Sequence, residues 1–300
     1  MRRLQVQEDG IRLDKFIALS LNSPRSHARR LIVAGRVYVG GKVVRIMTRP
    51  LKMGAWVEIS AYEADAVPTV QSAELPVLFC DRYILVLNKP AGLLSEDDRY
   101  SDNSVESMAP ELLASLDEKK TELWLVHRLD AGTSGVLIMA RTPMASGSLG
   151  KAFHDKQAKK TYWALCQGTP EHATFEVDGP IGRVKGTQHA VIPSGRPALT
   201  KFRVHNAKNG FCWIEAMPET GRTHQIRVHL AHVGLPIVGD KLYGGTRYIE
   251  HDNKRHLVPR TMLHARCLRV RHPKSGEKMT FEAPMPDDFR DILSLLDFSC

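Results

Sequence analysis

Asp130 stands in the stretch VHRLDAGTSGVLIMART, residues 126–142, with His127 and Arg128 just before it and Gly132, Thr133, Ser134 and Gly135 just after. A carboxylate held in such a bend can act as a nucleophile or as a general base, provided that it is ionised, and a neighbouring cation favours that state. The apolar residues 123–126 and 136–139 read as two short buried strands, so residues 127–135 form the loop between them. Loops pinned by core strands are where chemistry concentrates. Within this one, Gly132 and Gly135 allow tight turns, and the hydroxyls of Thr133 and Ser134 can tie the loop to its own main chain. An aspartate in a Gly-Thr-Ser bend is also ordinary turn chemistry, accepting from nearby amides and doing nothing more.

Two further stretches hold side chains suited to a site. KKTYWALCQG, residues 159–168, is a basic lead-in to a strand over 162–166; by pattern Tyr162 is a packed aromatic of an edge strand, although a phenol face can also stack on an unpaired base. PETGRTHQIRVHLAHVGLPIVGD, residues 218–240, carries Arg222 and Arg227, with His224, Ile226, Val228 and Leu230 in a periodic run between turns at Gly221 and at 234–239. His224, His229 and His232 suggest a metal, but their spacing matches no zinc motif and Arg222 and Arg227 would repel a cation, so no metal site is expected. The plain reading of the two arginines is a surface ion pair.

These stretches must be held by elements the rest of the chain supplies. At 300 residues and 43% hydrophobic, it can form one large domain or a medium domain with a small one. No apolar run approaches the roughly 20 residues of a membrane span, and the start, MRRLQVQEDG, has no apolar h-region, so no membrane association and a cytoplasmic location are expected. Five scattered cysteines without a CxxC pair point to free thiols, neither a disulfide framework nor a zinc site.

The formal charge of +9 is concentrated at one end: residues 1–60 hold 12 Lys and Arg against 4 Asp and Glu, whereas the other 240 hold 30 against 29. A basic segment on an otherwise neutral chain is the footprint of a nucleic-acid tether. Leu13, Phe16, Ile17 and Leu21 repeat with helical spacing, and a second helix has Ser23 as N-cap, Pro24 at its first position and Gly35 just past its end. Arg25 and Arg29 then lie one turn apart, with Arg30 beside them, while Leu31 and Ile32 face a core. Strands at 36–39 and 42–44 flank Gly40 and Gly41, a two-residue hairpin signal. Residues 63–76, acidic and with Pro68 and Pro76, read as a linker between a domain over 1–62 and one over 77–300.

Residues 11–60, two small helices and a hairpin bearing an arginine face, resemble the S4 RNA-binding domain. HRLD with AGTSG resembles the signature of the RluA-type pseudouridine synthases, as do NKPAG at 88–92, Lys160-x-Tyr162-x-Ala164, residues 218–240 and the closing segments 262–273 and 283–289. Together they span most of residues 77–290 in the family's order. The resemblance implies a mixed α/β (α+β) catalytic domain on a mainly antiparallel mixed sheet, preceded by the S4-like αα-β-hairpin domain. It implies an isomerase that turns specific uridines of structured RNA, most of all large-subunit ribosomal RNA, into pseudouridine, as a monomer and without a cofactor. Asp130 would be catalytic, Arg227 its partner with Arg222 as second choice, and Tyr162 would lie against the target base. Arg128, with His127 beside it, would fill the gap left by a flipped nucleotide, and Lys15, Arg25, Arg29 and Arg30 would contact phosphates. Where the family often continues after NKPAG with a His-Pro segment, this chain has Ser95, Glu96, Asp97 and Asp98, an acidic stretch expected to face solvent or to tune which RNA fits. Two other classes fit parts of the pattern: an RNA binder without activity, and a glycoside hydrolase, which ordinarily requires a second carboxylate.

Overall fold

In the computed structural model, which describes residues 2–21, 28, 31–32, 36–44, 46–60, 75–97, 104–117, 122–252 and 254–298, Gly40 and Gly41 take φ of 58° and 74°. Positive φ at both central positions makes a type I′ turn, whose twist suits a hairpin. It joins β2 (Val37–Val39) to β3 (Lys42–Val43), and with β1 (Arg2–Gln5) and β4 (Trp56–Ile59) these form an antiparallel sheet in the order β1-β4-β2-β3. Helix α1 (Leu13–Ser20) buries Leu13, Phe16 and Ile17 in one cluster with Val37, Val57 and Ile59. Ala28, Leu31 and Ile32 are helical and belong to the same core. Arg25, Arg29 and Arg30, and residues 63–74 of the expected linker, lie outside the described residues.

The chain folds as two compact units, one gathering the described residues up to 60 with 97 and 104–107, the other 75–96 and those from 108 onward. The second unit opens with β5 (Val77–Cys80) and β6 (Ile84–Lys89); helix α2 (Val105–Asp117), counted with the second unit from Met108 on, follows. Then come β7 (Trp124–Leu125), β8 (Ser134–Ala140), helix α3 (Pro143–His154), β9 (Lys159–Gln167), β10 (Thr174–Asp178) and the small hairpin β11 (Ile181–Lys185) with β12 (Gln188–Val191). The long pair β13 (Leu199–Lys208) and β14 (Phe211–Pro218) leads to helix α4 (Gln225–His232). A second small hairpin, β15 (Tyr248–His251) with β16 (Lys254–Leu257), precedes β17 (Leu263–Arg271), β18 (Lys278–Glu282) and helix α5 (Asp287–Leu295).

Ten strands form one sheet in the order β10-β13-β14-β9-β17-β8-β6-β5, with β18 on β17 and β7 on β8. Among the described pairings only β8 with β17 is parallel, so the fold is the mixed, mainly antiparallel α+β class expected. All seven residues of β8 and the first four of β6 are buried, as continuous apolar runs require when both sheet faces are covered. Helix α3 starts on Thr142, whose Oγ1 accepts from the Ala145 N–H at 3.1 Å, with Pro143 in its first turn, and it sets Ala145 and Leu149 in a core with Ile138 and Ala140.

Several local expectations change. The strand before Asp130 is only two residues long and half-buried, and β8 begins at Ser134, so the loop is shorter than read. Tyr162 lies on an interior strand, since β9 is flanked by β14 and β17. Residues 224–230 wind into α4; Ile226 and Leu230, four apart, fit one helical face as readily as one strand face. The segment 283–289 is a proline-rich turn only as far as Pro286, which caps α5. Among the described residues no helix is long and apolar enough to cross a membrane.

Candidate active site

The loop from 126 to 133 exposes one main-chain group after another, and each must find a partner. Ser95 grips Leu129 twice, its Oγ donating to the Leu129 carbonyl at 2.7 Å and accepting the Leu129 N–H at 2.9 Å. The Ala131 carbonyl accepts from the Gly92 N–H at 2.7 Å and from Lys89 Nζ at 3.3 Å. Arg260 Nη1 reaches the Gly132 carbonyl at 3.4 Å, and the Thr133 N–H closes a β-turn on the Asp130 carbonyl at 2.9 Å. Ser134 does not bond the loop's own main chain as expected; it is buried on His264 Nδ1 at 2.9 Å. Gly135 serves close approach within a strand, with φ at 114° and a Cβ there falling 2.2 Å from the Ala265 carbonyl oxygen of β17.

Asp130 does not use its carboxylate on the turn amides. Oδ2 accepts from Arg227 Nη1 at 2.9 Å, and the side chain remains 32% exposed. Helix α4 brings Arg227 there. Its first residue, Gln225, is buried with its amide shared among the Leu199 carbonyl, Thr200 Oγ1, Thr220 Oγ1 and the Arg222 N–H, an anchor that sets the helix's start. The other edge of the Arg227 guanidinium meets Asp240 as a fork, Nε to Oδ2 at 2.6 Å and Nη2 to Oδ1 at 2.9 Å. The Tyr243 ring lies 5.0 Å from the guanidinium carbon. Burial pulls the Arg227 pKa down, but the hydrogen bond and charge of Asp240, then Asp130, outweigh it and leave the value raised.

Tyr162 joins the same site through the sheet. It pairs with Ala265 of β17, which pairs on its other side with Gly135 at the end of the Asp130 loop. Its phenol is buried, and burial first, then the charge of Asp130, pushes its pKa well up, so it stays protonated. Lys89, the last residue of β6, is buried, and Nζ donates to the carbonyls of Pro90 at 2.9 Å and Leu93 at 2.5 Å besides Ala131. Burial and then the charge of Arg260 push its pKa down to about 7 against the opposing pull of Asp130.

Two expected site residues, and the acidic segment after NKPAG, sit differently. His127 is not turned toward a ligand: Nε2 accepts the Ile138 N–H at 3.1 Å and the ring stacks on Phe153 at 4.6 Å. Burial, then Lys160, pushes its pKa down to about 3, so it carries no positive charge for a phosphate. Arg222 is drawn away from Asp130 by the Pro197 carbonyl, to which Nε donates at 3.0 Å. The segment beginning at Ser95 does not simply face solvent: Ser95 is inside the loop anchor and Glu96 pairs with Arg128. Arg128 itself stays 60% exposed beside the site, and Lys15 is exposed on α1. Sequence reasoning passed over Lys89, Ser95, Asp240 and Tyr243. A lysine closing a buried strand was the available signal for Lys89, and an aspartate after a glycine turn for Asp240.

Comparison with known proteins places the whole chain in a family. The model of the RNA pseudouridylate synthases matches residues 83–232, and that of the S4 domain residues 11–57. The chain therefore belongs to the RNA pseudouridylate synthase family, isomerases that act on RNA, and carries an S4 domain at its N-terminal end. It is 34% identical to ribosomal large subunit pseudouridine synthase D of Pseudomonas aeruginosa, covering 96% of this chain and 92% of that one. It is 33% identical to an uncharacterised RNA pseudouridine synthase of Synechocystis, covering 96% and 89%. Among solved structures, human RNA pseudouridylate synthase domain containing 4 superposes with a TM-score of 0.61 at 25% identity, over 75% of this chain and 94% of that one.

Proposed function

We propose that this enzyme isomerises specific uridines of large-subunit ribosomal RNA, with Asp130 as its catalytic carboxylate and without a cofactor. The observation that carries the reading is the Asp130–Arg227 contact at 2.9 Å, braced by Asp240 and sharing its site with Tyr162. The likeness to a large-subunit rRNA synthase over nearly the whole chain supports the choice of RNA.

The reaction breaks the C1′–N1 bond, turns the uracil and forms a C1′–C5 bond; C5 loses a proton and N1 gains one. No electrons are exchanged, which is why side chains alone suffice. The carboxylate must meet a nucleotide taken out of its stack, because a base inside a helix is unreachable. Asp130 is partly exposed, with Arg227 holding one oxygen so that the other can face the ribose or base. The Tyr162 ring packs against the extruded uracil. Arg128, exposed beside the loop, exchanges Glu96 for the gap left in the RNA stack. Lys15 and the arginines at 25, 29 and 30 hold phosphates, positioning the RNA without reading its sequence.

The test is to map pseudouridines in ribosomal RNA from cells lacking this protein and then to complement with wild type or Asp130→Asn. Wild type restores at least one site and the variant none; restoration by the variant would falsify the assignment.

A further inference from the structure

His224 is one of five non-glycine residues with positive φ among those described, and of the five only His224 approaches Asp130. Its backbone, φ 56° and ψ 21°, is left-handed at the N-cap of α4, a conformation uncommon outside glycine that histidine adopts more readily than most residues. What this conformation achieves is visible in the side chain. The imidazole, 15% exposed, points Nδ1 at the Tyr243 hydroxyl, 2.8 Å away, and Nε2 at Asp130 Oδ2, 3.9 Å away. The Tyr243 and His189 rings hold it edge-on at 5.6 and 5.7 Å.

The hydrogen-bond chain favours one tautomer. The Tyr243 oxygen already accepts the His189 N–H at 3.1 Å. Its own O–H can donate to Nδ1 of His224, 2.8 Å away. With Nδ1 accepting, the ring proton resides on Nε2, the nitrogen facing Asp130. Burial first, joined by the charges of Arg227 and His189, outweighs the opposing pull of Asp130 and Asp240 and lowers the pKa of the ring, which favours the neutral imidazole. A gap of 3.9 Å is too long for a hydrogen bond, but catalytic contacts that are long without substrate tighten once it binds.

We propose that His224 is a positioning residue: its Nε2–H, aimed by Tyr243, closes on Asp130 Oδ2 when RNA fills the site. Oδ2 is then held by Arg227 and His224 together, and Oδ1 is the oxygen left to react. The inference rests on Asp130 being the catalytic carboxylate.

Two replacements separate this role from a purely backbone one. Asparagine tolerates the left-handed conformation and offers an amide where Nδ1 was, whereas glutamine bears the strain worse and returns a donor where Nε2 was. For His224→Asn, kcat on ribosomal RNA falls about 10- to 100-fold, the loss of one hydrogen bond to a charged group, while KM is unchanged. His224→Gln recovers most of that loss. In the wild-type protein, ¹⁵N shifts of the His224 ring report a neutral Nε2–H tautomer, a signal independent of whether either variant folds. The proposal is overturned if Asn keeps the wild-type kcat, if Asn outperforms Gln, or if the ring is protonated on Nδ1 instead. Asp130→Asn is assayed alongside: activity surviving there would defeat the functional assignment, whereas activity lost there but intact in His224→Asn would defeat only the inference about His224.

Discussion

Arg227 Nη1 lies 2.9 Å from Asp130 Oδ2, joining residues 97 apart in sequence. The same guanidinium gives its Nε and Nη2 to Asp240, so one cation is divided between a buried carboxylate that holds it and a half-open one that it holds. Only a planar fork can do both at once.

Arg227→Lys keeps the charge and loses the fork. In single-turnover assays on ribosomal RNA, the chemical step slows by about 10- to 100-fold, the range for a lost hydrogen bond to a charged group, with RNA binding unchanged. A rate equal to wild type would show that charge alone is enough.

Asp240 is 1% exposed, and neutralising it strands a mostly buried guanidinium with a single carboxylate partner. Breaking a buried pair costs roughly 3–5 kcal/mol. Asp240→Asn therefore lowers the urea midpoint of the second unit and lowers activity with it. Unchanged stability would mean that Asp240 merely accompanies Arg227.

Gly135 and Gly132 look alike in sequence and differ in consequence. A methyl group at 135 would fall 2.2 Å from the Ala265 carbonyl oxygen at a φ of 114°, while at 132 its nearest neighbour is Thr261 Oγ1 at 3.7 Å. Gly135→Ala costs more than about 3 kcal/mol or prevents folding, and Gly132→Ala stays within about 1 kcal/mol. Thermal melts of both variants decide it; equal effects would contradict the β8–β17 approach.

Lys89 supplies a pH test. Its folded pKa is pushed down to about 7 from 10.5, so between those values the unfolded chain binds a proton that the folded one has given up. Stability from this group thus rises with pH through that window, by up to about 1.4 kcal/mol per unit, and is flat below it. Subtracting the pH dependence of Lys89→Met from that of wild type between pH 7.5 and 9.5 isolates the slope. A difference that is flat or of opposite sign would mean that Lys89 keeps its ordinary pKa in the folded protein.

Much of the frame was legible in the chain itself. Gly40 and Gly41 announced a hairpin because so few residues accept two successive positive φ values, and residues 136–139 announced a core strand because nothing polar interrupts them. The run at 224–230 was ambiguous, since apolar residues at 226, 228 and 230 suit a period of two while 226 and 230 also suit a helix turn; burial of Gln225 and the left-handed His224 tipped it to helix. His127 and Arg222 were misplaced for one reason: being near the right residues in sequence does not say which way a side chain turns. Partners remote in the chain decided that, Ile138 and Phe153 for one and Pro197 for the other.

By itself the amino-acid order determined the family, the basic amino-terminal segment, the loop bearing Asp130 and the strands that pin it, because each is a local pattern of residue types and spacing. The tertiary structure alone decided that Asp240 divides Arg227 with Asp130, that Ser95 and Lys89 hold the loop's carbonyls, and that His224 faces the carboxylate. Those relations depend on strands and a helix far apart in the chain being folded into one sheet-centred unit, and a charge or hydrogen bond reaches only a few ångströms however near or far its partner lies in sequence.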